Sequence, residues 1–330
     1  MRTTTFDPVT AFRNLAEHHR PLAFSGLATL ALLALFLFGL VLDPRTIGGA
    51  PAWLKPTKFA VSITVYTFTL LWLLAHVRQH TVWRARLVRI AGWVVVVTFA
   101  LEWLAIVTQV LRGNTSHFNV ATPFDAAMWA LMAAAINVLL VTNVVVAGLL
   151  LKQRFERPSL GWALRLGLAI TIVGMAQAFL MTSPTATQLA GWQAGESVTV
   201  AGAHSVGAPD GGPGLPVTGW RSDVGDLRVG HFVGLHALQV VPVFGVWLQR
   251  RRRLREGQRV ALVAVAAGGY LGLTGLVTWQ ALRAQPLLSP DTLTLGALTL
   301  LVAACGVAAL LVVRGRPAEQ RSVVTRAGEV

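Results

Sequence analysis

Residues 87–111 read LVRIAGWVVVVTFALEWLAIVTQVL. The run is long enough to cross a bilayer, which takes about 20 apolar residues. Past Arg89 its one charged residue is Glu102. An acid at that depth is costly and needs a partner or a task. The stretch therefore poses two questions, one about fold and one about function.

Comparable runs recur along the chain. Eight candidate spans fall at 22–42, 57–77, 87–111, 124–151, 159–182, 229–248, 259–283 and 293–314. Composition agrees: 54% of residues are hydrophobic and 13% charged, about half the charge of a typical soluble domain. The predicted fold is all-α, a polytopic membrane helix bundle of about eight spans.

Basic residues set the expected orientation. With the N-terminus inside, 21 of the 28 Lys and Arg lie on the cytoplasmic side. They include the Arg250–Arg253 run and Arg84, Arg86 and Arg89. Both termini are then cytoplasmic, as expected of a multi-pass protein of a bacterial inner membrane. Charge confined to short loops beside spans reflects topology and anionic lipid, so the net charge of +14 does not imply nucleic-acid binding.

Three regions flank or interrupt the membrane domain at 22–314. Residues 1–21 form a leader, where Asp7 and Pro8 read as N-cap and first turn of an amphipathic helix on the cytoplasmic surface. Residues 183–228 form one long outer loop, read as a lid. Within it ESVTVAG suggests a short strand, Trp192 and Trp220 suggest interfacial anchors, and 207–219 suggests a looser part. Residues 315–330 form a cytoplasmic tail. The one cysteine, Cys305, lies inside the last span, which excludes an intrachain disulfide.

Sorted by depth, the ionisable residues inside the spans converge on the outer leaflet. Glu102, Lys58 and Asp125 are candidate catalytic groups. His236, His231, His117, Arg112, Arg228, Asp226 and Gln239 are candidate cofactor-binding groups, with Gln177 and Gln280 at similar depth. Lys55 and Lys58 could equally snorkel to headgroups. Glu102 should pair with Lys58 or a histidine, or be protonated through desolvation. His231 and His236 are five apart, about 140° round a regular helix, so one helical face does not present both to one metal ion. The flanking Gly230 and Gly234 allow another backbone to approach.

The motifs WLKPTKF, RGNTSHFN, DGGPGLPVTGW and GDLRVGHFVGLHALQ resemble those of a set of bacterial polytopic inner-membrane proteins without assigned function. The resemblance covers about residues 50–245. It implies that Lys58, Arg112, His117, Asp226, Arg228, His231 and His236 share a site, and it brings no activity with it.

Four functions fit this pattern. The first is a membrane oxidoreductase holding haem b, copper or zinc on His236, His231 and His117, with Arg112, Arg228 or Lys58 on propionates and Glu102 passing protons in quinol chemistry. The second is a metal-dependent intramembrane hydrolase using Glu102 or Asp125. The third is a transporter or receptor for a small anionic or lipid-like ligand. The fourth is an assembly factor whose polar cluster only holds the lid. The expected partners are the bilayer and a quinone or small lipophilic ligand.

Overall fold

The computed structural model describes residues 7–315. Helices α1 (Pro8–His18) and α2 (Arg20–Leu42) are followed by a two-stranded turn, β1 (Thr46–Ile47) and β2 (Ala50–Pro51). Next come α3 (Leu54–Ala75), α4 (Val82–Leu111), α5 (Pro123–Leu151), α6 (Pro158–Ala176) and α7 (Ala178–Thr182). The lid holds α8 (Ala186–Gln193), β3 (Ser205–Val206) and β4 (Gly225–Asp226). Helices α9 (Leu227–Leu235), α10 (Ala237–Gln249), α11 (Glu256–Leu282) and α12 (Thr292–Arg314) complete the bundle.

Among the described residues, eight helical segments are long and apolar enough to cross a membrane. Two of them are composite: Pro158–Gln193 runs through α6, α7 and α8, and Leu227–Gln249 joins α9 and α10. The chain is an all-α, multi-pass integral membrane protein. The core joins Leu22 of α2, Leu70 and Leu74 of α3, Val95 of α4, Val146 of α5, Leu168 of α6 and Leu238 of α10. Peripheral α12 rests on α11, and Thr294 is its one buried residue. Leu301, Cys305, Ala309 and Val312 also pack inward, and large apolar side chains such as Leu300, Val302 and Leu311 are exposed, as they would be toward lipid.

The leader helix forms where expected, capped by Asp7, which accepts from the backbone of Val9 and Thr10. Its apolar face meets protein, with Phe12 edge-on to Phe68 of α3 at 6.1 Å between centroids. The tail, like the first six residues, lies outside the described part of the chain.

Two spans break, and the breaks adjoin. Span five is interrupted at Gln177 and span six at His236. Pro242 removes a donor and crowds the carbonyl one turn back, which weakens α10 at its start. Freed carbonyls inside a membrane need donors. His231 Nδ1 meets Gly174 O at 2.7 Å, Tyr270 Oη donates to Val233 O at 2.7 Å, and Thr171 Oγ1 donates to Leu235 O at 3.2 Å. The helices touch at Gly174 and Gly234: a Cβ on Gly174 would stand 2.4 Å from Gly234 C.

The end opposite the lid carries its own buried network. Arg84, 3% exposed, donates to Leu149 O at 2.9 Å, and Arg165 Nε donates to Leu150 O at 3.0 Å. These arginines cap the C-terminal carbonyls of α5, where cations are favourable, in addition to any lipid role. Gly269 and Gly272 of α11 pack on Cys305 and Leu301 of α12, so that small-residue face is used within the chain.

Candidate functional site

Beneath the lid, Lys55 lies in the first turn of α3 and Glu102 about two turns below the lid end of α4. Lys58 is committed to Thr218 O, which leaves Lys55 as the uncommitted cation at this end of α3. Lys55 makes no hydrogen bond, and its Nζ stands 6.0 Å from the Phe59 ring centre. Glu102 is 1% exposed, and its Oε1 has no hydrogen-bond partner. Between their levels Phe59 packs on Ala105, Ile106 and Met132.

His117 and His204 lie within electrostatic reach of Lys55. His117 lies within the same reach of His204 and His231. His117 also packs on Phe59, Phe118 and Trp129, with ring centres 5.4–6.2 Å away. Protein surrounds Lys55, His117, His204 and His231, yet each keeps some accessible surface. These four side chains are thus part-buried, with Phe59, Phe118 and Trp129 packed on His117. Burial, and then the nearby Lys55 ammonium, push the His117 imidazole well below its ordinary range.

His204 comes from the lid and was not among the sequence candidates. Its Nδ1 meets Asp210 Oδ2 at 2.9 Å, and Asp210 also accepts from the backbone of His204 and Ser205. Burial opposes the Asp210 charge, but these hydrogen bonds outweigh it and hold the carboxyl well below the usual carboxylate range. Burial pushes His204 down, and Asp210 offsets that in part. The segment expected to be loose is thus tied to the chain around it. Lys58 Nζ adds another tie, donating to Thr218 O at 2.7 Å.

Across the lid end, one pattern recurs. His204 uses Nδ1 on Asp210, His231 on Gly174 O, His236 on Gln239 Oε1 at 3.2 Å, and His117 on Ser116 Oγ at 3.2 Å. Each Nε2 is left without a protein partner, and that of His236 is buried.

The other sequence candidates divide into three separate groups. Thr122 caps α5, and Asp125 in its first turn accepts from Arg112 at 2.5 Å, Gln109 at 2.8 Å and Thr122 Oγ1 at 2.6 Å. Asp125 and Arg112 thereby satisfy each other at the rim. Asp226 caps α9, pairs with Arg228 at 2.5 Å and accepts from Arg221 N at 2.8 Å. Arg228 in turn donates to Gly219 O at 2.8 Å, which fastens the lid. Deeper, His236 and Gln239 reach Thr69 of α3 through a 3.2 Å bond. Gln280 binds the carbonyls of Pro286 and Leu287 and holds a turn. Trp220 packs edge-on to Phe232 at 5.4 Å, inside the lid contact rather than at an interface. ESVTVAG contributes a single bridge, Val200 to Asn119.

The fold defines a multi-pass membrane protein with a cluster of part-buried polar side chains where the 183–228 segment meets the bundle. The chain matches no protein-family model, no curated protein and no solved structure. Among the described residues, no three His, Cys, Asp or Glu side chains are arranged to hold a metal ion.

Proposed function

We propose that the chain is a protein of a bacterial cytoplasmic membrane, with both termini cytoplasmic, and that its lid-covered polar cluster binds a small lipophilic ligand carrying an anionic or carbonyl oxygen. The observation that carries this reading is Lys55: part-buried beneath the lid, 6.0 Å from the Phe59 ring centre, and free of hydrogen bonds. A buried ammonium without a committed partner is costly. The imidazole Nε2 atoms add further uncommitted polar groups, and Phe59, Phe118 and Trp129 supply apolar walls. Such a pairing of few polar anchors with aromatic surface is typical of small-molecule sites.

The test is binding by the purified protein in nanodiscs. Laurate and a short-chain quinone serve as probes, read by tryptophan fluorescence and thermal shift. Saturable binding of either that is lost in Lys55→Met and kept in Lys58→Met supports the reading. Binding unaffected by Lys55→Met would refute it.

A second reading, a redox protein holding haem b, copper or zinc, rests on the imidazole pattern. Anchoring Nδ1 while leaving Nε2 free is how ligating histidines are oriented. Haem iron would take two imidazoles drawn from His117, His204, His231 and His236, whereas the described residues make no group of three for copper or zinc. A Soret band, or stoichiometric copper or zinc in the purified protein, decides for it.

A further inference from the structure

We propose that the seam between α3 and the α9–α10 span binds a lipophilic hydroxy compound from the bilayer, whose O–H donates to His236 Nε2. This site is separate from the Lys55 cluster and does not depend on the ligand reading above.

Two ridges face each other across the seam. Lys58, Ser62, Val65 and Thr69 follow helical spacing and share one face of α3. Opposite them, Phe232 packs on His236 with ring centres 4.3 Å apart, and His236 reaches Gln239. The ridges are joined at two levels. At the lid end the Thr218–Gly219 backbone clasps both, because Lys58 Nζ donates to Thr218 O and Arg228 to Gly219 O. Further along α3, about 16 Å down the helix, Gln239 Nε2 donates to Thr69 Oγ1 at 3.2 Å. Elsewhere α3 and α10 touch sparsely. Val65 is 39% exposed and Phe232 45% exposed, so the middle of the seam opens sideways, toward lipid.

Polar side chains in a span ordinarily face the bundle interior. Here a row of hydrogen bonds crosses a seam that lipid can reach. Thr69 Oγ1 donates to Val65 O at 2.7 Å, so it accepts from Gln239 Nε2. Gln239 Oε1 is then the acceptor for His236 Nδ1–H. In a neutral imidazole this leaves Nε2 with a lone pair and no proton. That atom is buried and has no partner. A row that served only to fasten two helices would end on a committed atom. This one ends on an acceptor that needs a donor. Lys58 and Arg228 are taken by the clasp. A carboxylate or a ketone has no proton to give, whereas an alcohol or phenol has one. The bilayer is its source, and exposed Val61, Val65, Val240 and Val243 offer apolar surface to its alkyl chain. The Phe232 ring lies over the imidazole and turns outward to admit the hydroxyl.

The experiment is photolabelling of nanodisc-held protein with a diazirine-bearing hexadecanol and with its methyl ether, which lacks the O–H. The alcohol should label residues 61–69 and 232–243 in preference to exposed α12, and excess dodecanol should remove that label. The ether should label the seam about fivefold less, the worth of one hydrogen bond. His236→Leu should abolish the difference between alcohol and ether. Should that variant fail to insert, Val65→Trp fills the seam from α3 without touching the hydrogen bonds, and should remove the label. Equal labelling by alcohol and ether in the wild type would overturn the proposal. So would a preference that survives His236→Leu, a label that survives Val65→Trp, or a label spread evenly over the seam and α12.

Discussion

The closest approach between helices gives the sharpest test of the fold. In Gly174→Ala the new Cβ would stand 2.4 Å from Gly234 C, 2.6 Å from Leu235 N and 2.7 Å from Gly234 Cα. Ordinary contact begins at 3.4 Å, so α6 and α9 must part by about 1 Å. No flexible side chain can yield, because every near atom is backbone. The same shift would stretch the His231–Gly174 bond, now 2.7 Å, past hydrogen-bonding range. Overpacking costs about 1–3 kcal/mol and the lost bond about 0.5–1.5 kcal/mol. The expected destabilisation is about 2–4 kcal/mol, measured by reversible unfolding in mixed micelles. Gly234→Ala, whose Cβ would meet Gly174 Cα at 2.5 Å, should cost a similar amount. Because both variants strain one contact, the double variant should cost clearly less than their sum. Gly148→Ala in α5 meets nothing within 4 Å and serves as a neutral or mildly stabilising control. A Gly174→Ala protein within about 0.5 kcal/mol of wild type, the level of an ordinary surface change, would refute the crossing.

Asp125→Ala leaves Arg112 and Gln109 without their acceptor. Arg112 is 36% exposed, so the loss should be about 1–2 kcal/mol by the same unfolding assay, below the cost of breaking a wholly buried pair. The lid should loosen on acidification. His204 is held below its ordinary value in the folded protein, chiefly by burial, so the released lid binds more protons and docking weakens as pH falls below about 6.5. Asp210 acts in the same direction at still lower pH, because its folded carboxyl is also depressed. Hydrogen exchange at residues 204–210, corrected for intrinsic rates, should rise from pH 7.5 to pH 5 in wild type and change little in His204→Gln. Orientation is tested in a Cys305→Ala background: Ser222→Cys should react with an impermeant maleimide on intact cells, whereas Arg252→Cys should react only after lysis.

The eight spans were legible because hydropathy over about 20 residues reports burial in lipid directly. The breaks at Gln177 and His236 were not, because both lie in continuous apolar runs, where only Pro242 hints at one of them. Depth was legible in part: Glu102, His231 and His236 lie in the lid halves of their spans, whereas His76 lies at the opposite end of α3. Direction was not. Lys55 and Lys58 are three residues apart on one helix, yet Lys58 is taken by Thr218 O, 160 residues away in sequence. That leaves Lys55 without a hydrogen-bond partner, 6.0 Å from the Phe59 ring centre. His204 was invisible for the same reason, since no periodicity places a loop residue over a particular cluster. Asp125 and Arg112 mark the opposite error: chemically suggestive side chains that the structure gives entirely to each other and to Gln109 and Thr122. In a membrane interior a charged side chain left over after such pairings has few reasons to persist. Lys55 and Glu102 are what remains here, so removing them together should spare folding and abolish ligand binding. A double variant Lys55→Met/Glu102→Gln that fails to insert, while each single variant inserts, would mean that the pair exists to hold the bundle.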